Sequence, residues 1–278
     1  MKNTCQLSGA RDEDLTWGQL VSLATRERAR EPMLARTFDE AVLRHGSFGE
    51  AVAHQLALGL CDRWIEYSEV FRLAIEALRS DLEIADACVQ DLQAVSERDP
   101  ATAHPLQALM HYRGYKAMQG HRIAHWLWQN NRRSLAYWMQ ARVVDSFSID
   151  IHPAAVIGKR VMLDHGTGIV IGETAVVEDD VSMLHNVTLG GTGKETRDRH
   201  PKIRRGVMIG AGAKILGNIE VGEGARVAAG SIVLKPVPPR TTAVGVPARI
   251  VERGAPSWPA FEMRQEFPDA LVAHLVSS

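Results

Sequence analysis

Features that mark membrane, secreted and nucleic-acid-binding proteins are absent from this sequence of 278 residues. It has no run of about 18 apolar residues, the length a helix needs to span a bilayer, and its start lacks the apolar core of a signal peptide. Its three cysteines, Cys5, Cys61 and Cys88, are too widely spaced for a zinc knuckle or a disulfide framework. The formal net charge is only −1. These absences predict a cytoplasmic protein with reduced cysteines, no nucleic-acid partner and no membrane association.

The first half of the chain has the apolar spacing of amphipathic helices. Residues such as Leu56, Leu60 and Trp64 lie four positions apart, and similar spacing recurs up to about residue 145. Pro100 and Pro105 interrupt the pattern and predict a loop. Hydrophobic residues make up 45% of the chain, enough for a large core. The pattern predicts an all-helical N-terminal domain over residues 1–145.

After residue 148 the apolar period changes to six residues, and glycine becomes frequent. Neither a helix nor a simple strand has this period. Three runs share it, and the second run is shifted by two residues from the first. The residues predicted to point inward are Ile151, Ile157, Leu163 and Ile169, then Ile171, Val177, Met183 and Leu189, then Ile203, Ile209, Ile215, Val221, Val227 and Val233. Such repeats predict a solenoid over residues 146–250.

A strongly polar segment, residues 190–202, interrupts the repeats between the second and third runs. Each six-residue face of a coil turns one aliphatic side chain inward, so a polar insertion can only protrude. Protruding loops on a rigid scaffold commonly carry binding residues. The sequence therefore predicts a protruding functional loop, followed after the repeats by a C-terminal tail over residues 251–278.

The hexapeptide pattern resembles the left-handed parallel β-helix of trimeric acyltransferases, and local motifs narrow the resemblance to the serine O-acetyltransferase family. The motifs of the repeat half are Asp150-Ile-His-Pro-Ala-Ala, Leu163-Asp-His-Gly-Thr-Gly-Ile, Val187-Thr-Leu-Gly-Gly-Thr-Gly-Lys, Asp198-Arg-His-Pro-Lys-Ile and Gly245-Val-Pro-Ala-Arg-Ile, and those of the helical half are Glu31-Pro-Met-Leu-Ala, Arg98-Asp-Pro-Ala and Arg122-Ile-Ala-His-Trp-Leu-Trp. The resemblance implies an α + β fold, in which the all-helical N-terminal domain precedes a left-handed parallel β-helix with a protruding loop and a C-terminal tail.

The resemblance also implies an activity and partners. The expected reaction transfers the acetyl group of acetyl-CoA to the hydroxyl of L-serine, giving O-acetylserine and CoA in the first step of cysteine biosynthesis. Acetyl-CoA is then a co-substrate, no cofactor or metal is bound, L-cysteine is a feedback inhibitor, and the chain forms a homotrimer or a dimer of trimers. Many family members end in an isoleucine that docks into the sulfhydrylase of the next step. This chain ends in Leu275-Val-Ser-Ser278, which predicts a weak or absent sulfhydrylase complex.

Acetyl transfer to a hydroxyl requires a base, and histidine is suited to this role because its pKa lies near the operating pH. The resemblance implies that His165 takes the proton from the serine hydroxyl and that Asp150 orients His165. Fifteen residues separate the two, which in a coil of three hexapeptides does not by itself place them in contact. His200, on the protruding loop, is implied as a second catalytic or binding histidine.

The acceptor is a zwitterion, so its site needs charges of both signs. The resemblance implies that Asp99 and Asp164 hold the ammonium group and that Arg199 pairs with the carboxylate, for which a guanidinium is well shaped. Asp99 could instead form a turn or a helix cap before Pro100, and Arg199 could be a solvated loop charge. Both alternatives stay open at the level of sequence.

A coenzyme A groove between neighbouring coils requires small residues, because larger side chains would block the pantetheine arm. The candidates for this lining are Gly191, Thr192, Ala211 and Ala229, and the candidates for the phosphates are Arg226, Lys235 and Arg249. Because solenoid exteriors carry basic residues anyway, the phosphate ligands are the weaker part of this prediction.

Other functions compatible with the repeats are an acetyltransferase for a sugar or homoserine, a γ-type carbonic anhydrase and a non-enzymatic scaffold. The carbonic anhydrase needs two histidines about five residues apart and a third about twenty residues earlier. The repeats contain His152, His165, His185 and His200, without such a pair. A scaffold leaves Asp164 and the polar loop unexplained. The helical domain of roughly 145 residues and the pair Asp99 and Arg199 favour an amino-acid acceptor over a sugar.

Overall fold

The computed structural model describes residues 3–193, 195–253 and 258–263. The chain folds into two compact units, Met1–Ala154 and Ala155–Ser278. Most of the tail predicted over residues 251–278 lies outside the described residues. So do its last four residues, on which the prediction about the sulfhydrylase rests. No helix within the described ranges has both the length and the apolar character of a membrane span.

The first unit is helical, as the apolar spacing predicts. Its elements are α1 (Asn3–Arg30), a 3₁₀ turn (Pro32–Leu34), α2 (Ala35–Phe38), a π-helical turn (Asp39–Leu43), α3 (Phe48–Leu60), α4 (Tyr67–Ser80), α5 (Leu82–Arg98), α6 (Pro105–His111), α7 (Arg113–Gln129), α8 (Arg133–Phe147) and the short strand β1 (Asp150–Ile151). The loop predicted around the two prolines is present between α5 and α6. Pro105 is the first residue of α6, where its missing N–H has no helical partner to lose.

Side-chain caps set where several of these helices begin. The Ser47 hydroxyl accepts a hydrogen bond from the backbone N–H of Glu50 at the start of α3. Glu66 and Glu69 form a capping box at the start of α4. Gly120 lets α7 approach its neighbours closely, since a Cβ atom added there would lie 2.7 Å from Val143 of α8. The caps therefore set where α3 and α4 begin, and Gly120 sets how closely α7 packs against α8.

Helices α5 and α7 share a buried ion pair. Oδ2 of Asp91 accepts hydrogen bonds from Nε of Arg122 over 2.9 Å and from its Nη2 over 2.7 Å. Gln119 donates to the same oxygen over 3.2 Å. The Asp91 side chain is only 1% exposed, so loss of Arg122 would leave a buried charge without its main partner. Removing one member of such a pair typically costs about 3–5 kcal/mol of unfolding free energy.

The second unit is built from short parallel strands. They are β2 (Val156–Ile157), β3 (Met162–Leu163), β4 (Val170–Ile171), β5 (Val176–Val177), β6 (Ser182–Met183), β7 (Thr188–Gly190), β8 (Lys202–Ile203), β9 (Met208–Ile209), β10 (Lys214–Leu216), β11 (Glu220–Val221), β12 (Arg226–Val227) and β13 (Ile232–Val233). A hairpin of β14 (Thr241–Gly245) and β15 (Ala248–Arg253) and a short helix, α9 (Pro259–Glu262), follow.

Three parallel sheets form the faces of this solenoid. Within the unit their strand orders are β4-β7-β10-β13, β2-β5-β8-β11 and β3-β6-β9-β12-β14. Strand β15 closes the third sheet in antiparallel pairing with β14. Every third strand therefore lies on the same face, as a coil of three hexapeptides requires.

The two interruptions read from the sequence change the length of individual coils. Val156 pairs with Val176, so the first coil is two residues longer than three hexapeptides. Val176 pairs with Lys202, so the second coil is eight residues longer. From Lys202 onward the spacing returns to three hexapeptides, because Lys202 pairs with Glu220. The predicted register slip and the predicted protruding segment are both confirmed.

Of the residues predicted to point inward, Ile151 lies in the first unit and the others lie in the second. Thirteen of them are buried, with exposures of 5% or less for Ile151, Leu163, Ile169, Ile171, Val177, Met183, Leu189, Ile203, Ile209, Ile215, Val221, Val227 and Val233. Ile157 is the exception, since it is partly exposed. It lies on β2, which ends its sheet within the unit and has only β5 as a neighbour there.

Candidate active site

Asp164 and His165 lie in the first interruption, directly after strand β3. Oδ1 of Asp164 is 3.9 Å from Nε2 of His165, and the His165 side chain is 76% exposed. The His165 backbone has φ +56°, in the left-handed region. The same conformation recurs at other corners of the solenoid, at Arg160, Asp180 and Asn186, so it belongs to the fold. The imidazole is therefore accessible and lies beside a carboxylate.

A second imidazole, that of His185, completes this cluster. The rings of His165 and His185 are 5.9 Å apart between centroids and meet edge to face. Sequence reasoning did not assign His185 to the site. Because Met162 pairs with Ser182 in the lengthened coil, positions twenty residues apart stack there. Adding the two-residue slip to three hexapeptides gives a coil of twenty residues. This coil length would have predicted that His165 and His185 stack on each other.

Arg199 and His200 end the protruding segment and are held by the turn between β4 and β5. The hydroxyl oxygen of Thr174 accepts hydrogen bonds from the backbone N–H of Arg199 over 3.0 Å and of His200 over 3.1 Å. It also lies 2.9 Å from Nδ1 of His200. Nη2 of Arg199 donates to Oε2 of Glu173 over 2.6 Å. Arg199 is thus an oriented side chain, rather than the freely solvated loop charge that the sequence left open.

Lys202 holds the end of the protruding segment through Asp198 and His200. Its ammonium donates to Oδ1 of Asp198 over 2.6 Å and to the backbone carbonyls of Thr174 and His200 over 3.0 and 2.8 Å. The hydrogen bond from Lys202 lowers the pKa of Asp198 below its ordinary value, and Lys202's charge acts in the same direction. One lysine therefore joins the segment to the β4–β5 turn beneath it.

Sequence reasoning missed both Glu173 and Thr174. Val177 and Ile203 are both predicted inward residues, and the structure pairs them. The same offset of 26 residues brings Thr174 against His200. Aligning the second and third runs would therefore have placed this turn beside the segment.

Asp99, predicted to bind the ammonium group, lies in the first unit directly after α5. Its Oδ1 accepts a hydrogen bond from the N–H of Ala101 over 2.8 Å, and its Oδ2 accepts one from the hydroxyl of Thr102 over 2.7 Å. The Tyr112 hydroxyl lies 3.0 Å from the Thr102 hydroxyl. Asp99 thus forms the turn that its place before Pro100 allows. Its part in substrate binding stays a prediction.

Asp150, predicted to orient the base, begins strand β1 of the first unit. Its Oδ1 accepts a hydrogen bond from Nε2 of Gln140 on α8 over 2.6 Å. Gln140 was not among the predicted site residues, because no motif or period links a helix position to the strand that follows. The amide fixes one carboxylate oxygen. The proposed action of Asp150 on His165 stays a prediction.

Ala211 and Ala229, predicted to line the coenzyme A groove, lie at neighbouring corners of successive coils. The N–H of Gly230 donates to the carbonyl of Ala211 over 2.8 Å. A Cβ atom added at Gly210 would come within 2.5 Å of the Ala229 nitrogen. The corners are therefore packed backbone against backbone, with little side-chain bulk.

The other predicted coenzyme A residues lie elsewhere on the second unit. A Cβ atom added at Gly191 would lie 3.5 Å from both Cγ of Arg199 and Nε2 of His200. Thr192 adjoins Gly217, whose added Cβ would lie 3.3 Å from the Thr192 methyl. The candidate phosphate ligands are Arg226 on β12, Lys235 after β13 and Arg249 on β15, of which the last two are exposed. Their role stays a prediction.

The residues that the structure describes include potential metal ligands, such as His165 and Asp164. Among those residues no group of three or more His, Cys, Asp or Glu side chains is arranged to hold a metal ion. Near His165 and His185 lies the carboxylate of Asp164, whose Oδ1 is 3.9 Å from Nε2 of His165.

Comparison with known proteins identifies the family. The family model described as "Serine acetyltransferase, N-terminal" matches residues 16–120, and the model for bacterial transferase hexapeptide repeats matches residues 200–235. The serine acetyltransferase of Salmonella typhimurium is 50% identical over 254 residues, which cover 91% of this chain and 93% of the relative. This chain belongs to the serine acetyltransferase family. It is therefore an acyltransferase, as predicted.

Solved structures of serine acetyltransferases share the fold. The enzyme of Vibrio cholerae matches with a TM-score of 0.90 at 50% identity, covering 92% of this chain and 99% of that one. A serine acetyltransferase in complex with cysteine matches with a TM-score of 0.89 at 49% identity, covering 91% and 98%. The predicted fold class, a helical domain followed by a left-handed parallel β-helix, is confirmed.

Two further members of the family were solved with other ligands. The soybean enzyme complexed with serine matches with a TM-score of 0.85 at 50% identity, covering 86% of this chain and 99% of that one. The Brucella abortus enzyme in complex with coenzyme A matches with a TM-score of 0.84 at 46% identity, covering 86% and 96%.

Proposed function

We propose that this chain transfers the acetyl group of acetyl-CoA to the hydroxyl of L-serine, giving O-acetylserine and CoA. The observation that carries the proposal is the pair Asp164 and His165, an accessible imidazole with a carboxylate oxygen 3.9 Å from its Nε2. Relatives of this chain have been solved with serine, with coenzyme A and with cysteine. A zwitterionic acceptor and a thioester donor fit the Asp164–His165 pair and also the ligands of these solved relatives.

The spacing of Asp164 and His165 suits a 2-amino alcohol. In serine only two carbon atoms separate the ammonium nitrogen from the hydroxyl oxygen. An ammonium group on Asp164 therefore brings the hydroxyl within reach of the His165 imidazole. A sugar acceptor has no positive charge for Asp164 to bind, which favours the amino-acid substrate over a sugar.

In the proposed reaction His165 is the general base. Its imidazole takes the proton of the serine hydroxyl as that oxygen attacks the thioester carbonyl. The tetrahedral intermediate then breaks its C–S bond, and the imidazolium returns the proton to the departing thiolate of CoA. Asp150 would orient the imidazole and stabilise its charged form, as a carboxylate does in the serine-protease triad. Asp99 would bind the ammonium group together with Asp164, and Arg199 would bind the carboxylate group.

Acetyl-CoA would be held as a co-substrate, with no resident cofactor. The small corners at Gly191, Thr192, Ala211 and Ala229 suit the pantetheine arm, and Arg226, Lys235 and Arg249 would face the phosphates. L-Cysteine differs from serine by one side-chain atom and would occupy the acceptor site as an inhibitor. Competition between cysteine and serine in initial-rate measurements tests that part of the proposal.

Assembly is proposed from the family resemblance. The β-helix would form a homotrimer, and the helical domain over residues 1–145, besides contributing Asp99, would join two trimers. Light scattering distinguishes the assemblies, because the mass of one chain is 30.6 kDa. A monomeric mass at assay concentrations would contradict this assignment.

Release of free thiol tests the activity directly. Acetyl-CoA is mixed with L-serine, with L-homoserine or with a hexose, and rapid release is expected with L-serine. His165→Asn should lower kcat by about 10²–10⁴-fold, because it removes a general base while asparagine tolerates the left-handed backbone. The exposed His111 provides a matched control, His111→Asn, which should keep wild-type activity. Release with the hexose but not with serine, or full activity in His165→Asn, would overturn the proposal.

A further inference from the structure

The two histidines proposed for the site occupy opposite environments. The His165 side chain is 76% exposed. His200 is only 7% exposed, and its ring packs over Gly172, where an added Cβ atom would collide with it. An accessible histidine and an enclosed one suggest different tasks. The hydrogen bonds around His200 show what its task can be.

The backbone amide of Thr174 determines which ring nitrogen of His200 carries a proton. This N–H donates to Nδ1 of His200 over 3.1 Å. A backbone N–H can only donate, so Nδ1 must present its lone pair. A protonated Nδ1 would place two hydrogens against each other. The bond therefore selects the neutral ring with its single proton on Nε2 and disfavours the imidazolium.

The hydroxyl of Thr174 supports the same assignment. Its oxygen has two lone pairs, and these accept the N–H groups of Arg199 and His200. Its one proton is left to donate, with Nδ1 of His200 at 2.9 Å and Asp198 as the competing acceptor. If the proton goes to Asp198, the amide bond to Nδ1 is unchanged.

Charged side chains of both signs lie near His200 among the described residues. Arg199 and Lys202 are cationic, and Lys202 donates to the His200 carbonyl over 2.8 Å. Glu173 and Asp198 are anionic and are paired with Arg199 and Lys202 respectively. Each anion is therefore largely neutralised by its own cation. The backbone N–H of Thr174 at Nδ1 favours the neutral ring over the imidazolium.

On the other side of the ring, Nε2 borders two residues without side chains. Gly172 lies against the ring, and a Cβ atom added at Gly191 would lie 3.5 Å from Nε2. The same added atom would lie 3.5 Å from Cγ of Arg199. Nε2 thus lies beside Gly191, one of the residues predicted to line the coenzyme A groove.

We propose that His200 acts as a neutral hydrogen-bond donor through Nε2, and that Thr174 is the positioning residue that selects this tautomer. This deepens the proposed function, on which its catalytic meaning rests. The two histidines then have different roles. His165 transfers a proton, whereas His200 keeps its proton and donates a hydrogen bond to a carbonyl or carboxylate oxygen of the reacting molecules. No proton transfer is assigned to His200.

Nitrogen NMR of ¹⁵N-histidine-labelled protein observes the ring directly, without substrate. The resonances of His200 are identified by their loss in His200→Gln. At pH 7.5 we expect an unprotonated Nδ1 and a protonated Nε2. A protonated Nδ1, or an imidazolium at that pH, would overturn the proposal. Because this measurement does not depend on turnover, it stands even if wild-type protein releases no thiol with serine.

Two substitutions of His200 separate a donor from a base. The amide nitrogen of glutamine reaches the position of Nε2, whereas that of asparagine reaches only the position of Nδ1. We expect His200→Gln to keep kcat/KM within about tenfold of wild type and His200→Asn to lose about 100-fold or more, the usual effect of removing a preorganised donor. Equal losses in both variants would refute the donor role.

Substitutions of Thr174 test the positioning. Thr174→Val keeps the backbone amide but removes the hydroxyl, so kcat/KM should fall about tenfold while the Nε2–H tautomer persists in the spectrum. Thr174→Ser should restore activity, because it restores the hydroxyl. A Ser variant as impaired as the Val variant would show that the methyl group, and hence packing alone, is responsible.

Discussion

Nη2 of Arg199 donates a hydrogen bond to Oε2 of Glu173 over 2.6 Å. Nη1 of the same guanidinium donates to the backbone carbonyls of Thr196 and Arg197 over 3.4 and 3.2 Å. The Arg199 side chain is 25% exposed and that of Glu173 39% exposed, so the pair itself adds only about 0–1 kcal/mol to stability. Its consequence is orientation: the guanidinium plane is held before any substrate arrives.

Arg199→Lys is expected to raise the KM for serine by about 10–100-fold with a small change in kcat. Lysine keeps the charge but cannot form the planar two-point contact with a carboxylate that a guanidinium forms. Steady-state kinetics with varied serine measures the effect. The exposed neighbour Arg197 provides the matched control, and Arg197→Lys should leave the KM unchanged. An unchanged serine KM in Arg199→Lys would remove Arg199 from the acceptor site.

Gln140→Leu is expected to lower kcat about tenfold without unfolding the chain. The amide of Gln140 donates to Oδ1 of Asp150 over 2.6 Å, so its loss frees a carboxylate proposed to orient the base. Gln90→Leu is the control, since Gln90 forms a similar bond to Asp86 over 2.8 Å on α5. Equal activity losses in the two variants would indicate a general effect on stability, and not a specific effect on Asp150.

Gly172→Ala is expected to reduce activity strongly while the protein stays folded. A Cβ atom at this position would collide with the His200 ring, and the ring would have to leave its bonds to Thr174. Gly18→Ala is the control, because an added Cβ atom on α1 has nothing within 4 Å. Thiol-release rates and circular dichroism measure the two effects. A fully active Gly172→Ala would show that the position of the ring is unimportant.

The stability of the helical unit is expected to fall as the solution is acidified below pH 6.5. His54 is 7% exposed, and its Nδ1 lies 2.8 Å from the Tyr67 hydroxyl. Burial lowers the pKa of His54 below its ordinary 6.5, and the charges of His45, Arg44 and Lys116 act in the same direction, while Glu40 opposes them. Below pH 6.5 the His54 ring is therefore protonated more readily in the unfolded chain than in the folded one. This difference in proton binding favours unfolding at low pH.

Urea denaturation at pH 7.5 and pH 5.5 measures this dependence. His54→Gln should flatten the pH dependence of the unfolding free energy relative to wild type, because it removes the titrating ring. Tyr67→Phe should keep the dependence, although it loses the hydrogen bond and about 1 kcal/mol of stability. If His54→Gln and wild type lose the same free energy on acidification, His54 is not the group responsible.

The local period of the sequence determined the architecture. A side chain at every sixth position points inward independently of how the neighbouring coils pair, because each coil bends through its own backbone. Leu163, Ile209 and Val227 could therefore be assigned to the core from spacing alone. The two interruptions of the period located the Asp164–His165 pair and the segment that ends in Arg199 and His200.

Contacts between coils depended on a further quantity, the length of each coil. His165 meets His185, and Thr174 meets His200, only because one coil is two residues longer and the next eight residues longer than three hexapeptides. A period describes each run by itself, whereas stacking decides which residues of different runs become neighbours. The sequence contains these lengths, but their meaning depends on which strands pair.

Helix packing and the hydrogen bonds of individual rings were decided by the tertiary structure alone. Gln140 reaches Asp150 because α8 ends just before β1, and no repeat relates the two positions. The tautomer of His200 follows from one backbone N–H, that of Thr174, whose direction no residue type encodes. The six-residue period determined the solenoid and where it is interrupted. The proton on His200 was decided by the stacking of one coil on the next, because only stacking brings a donor to Nδ1.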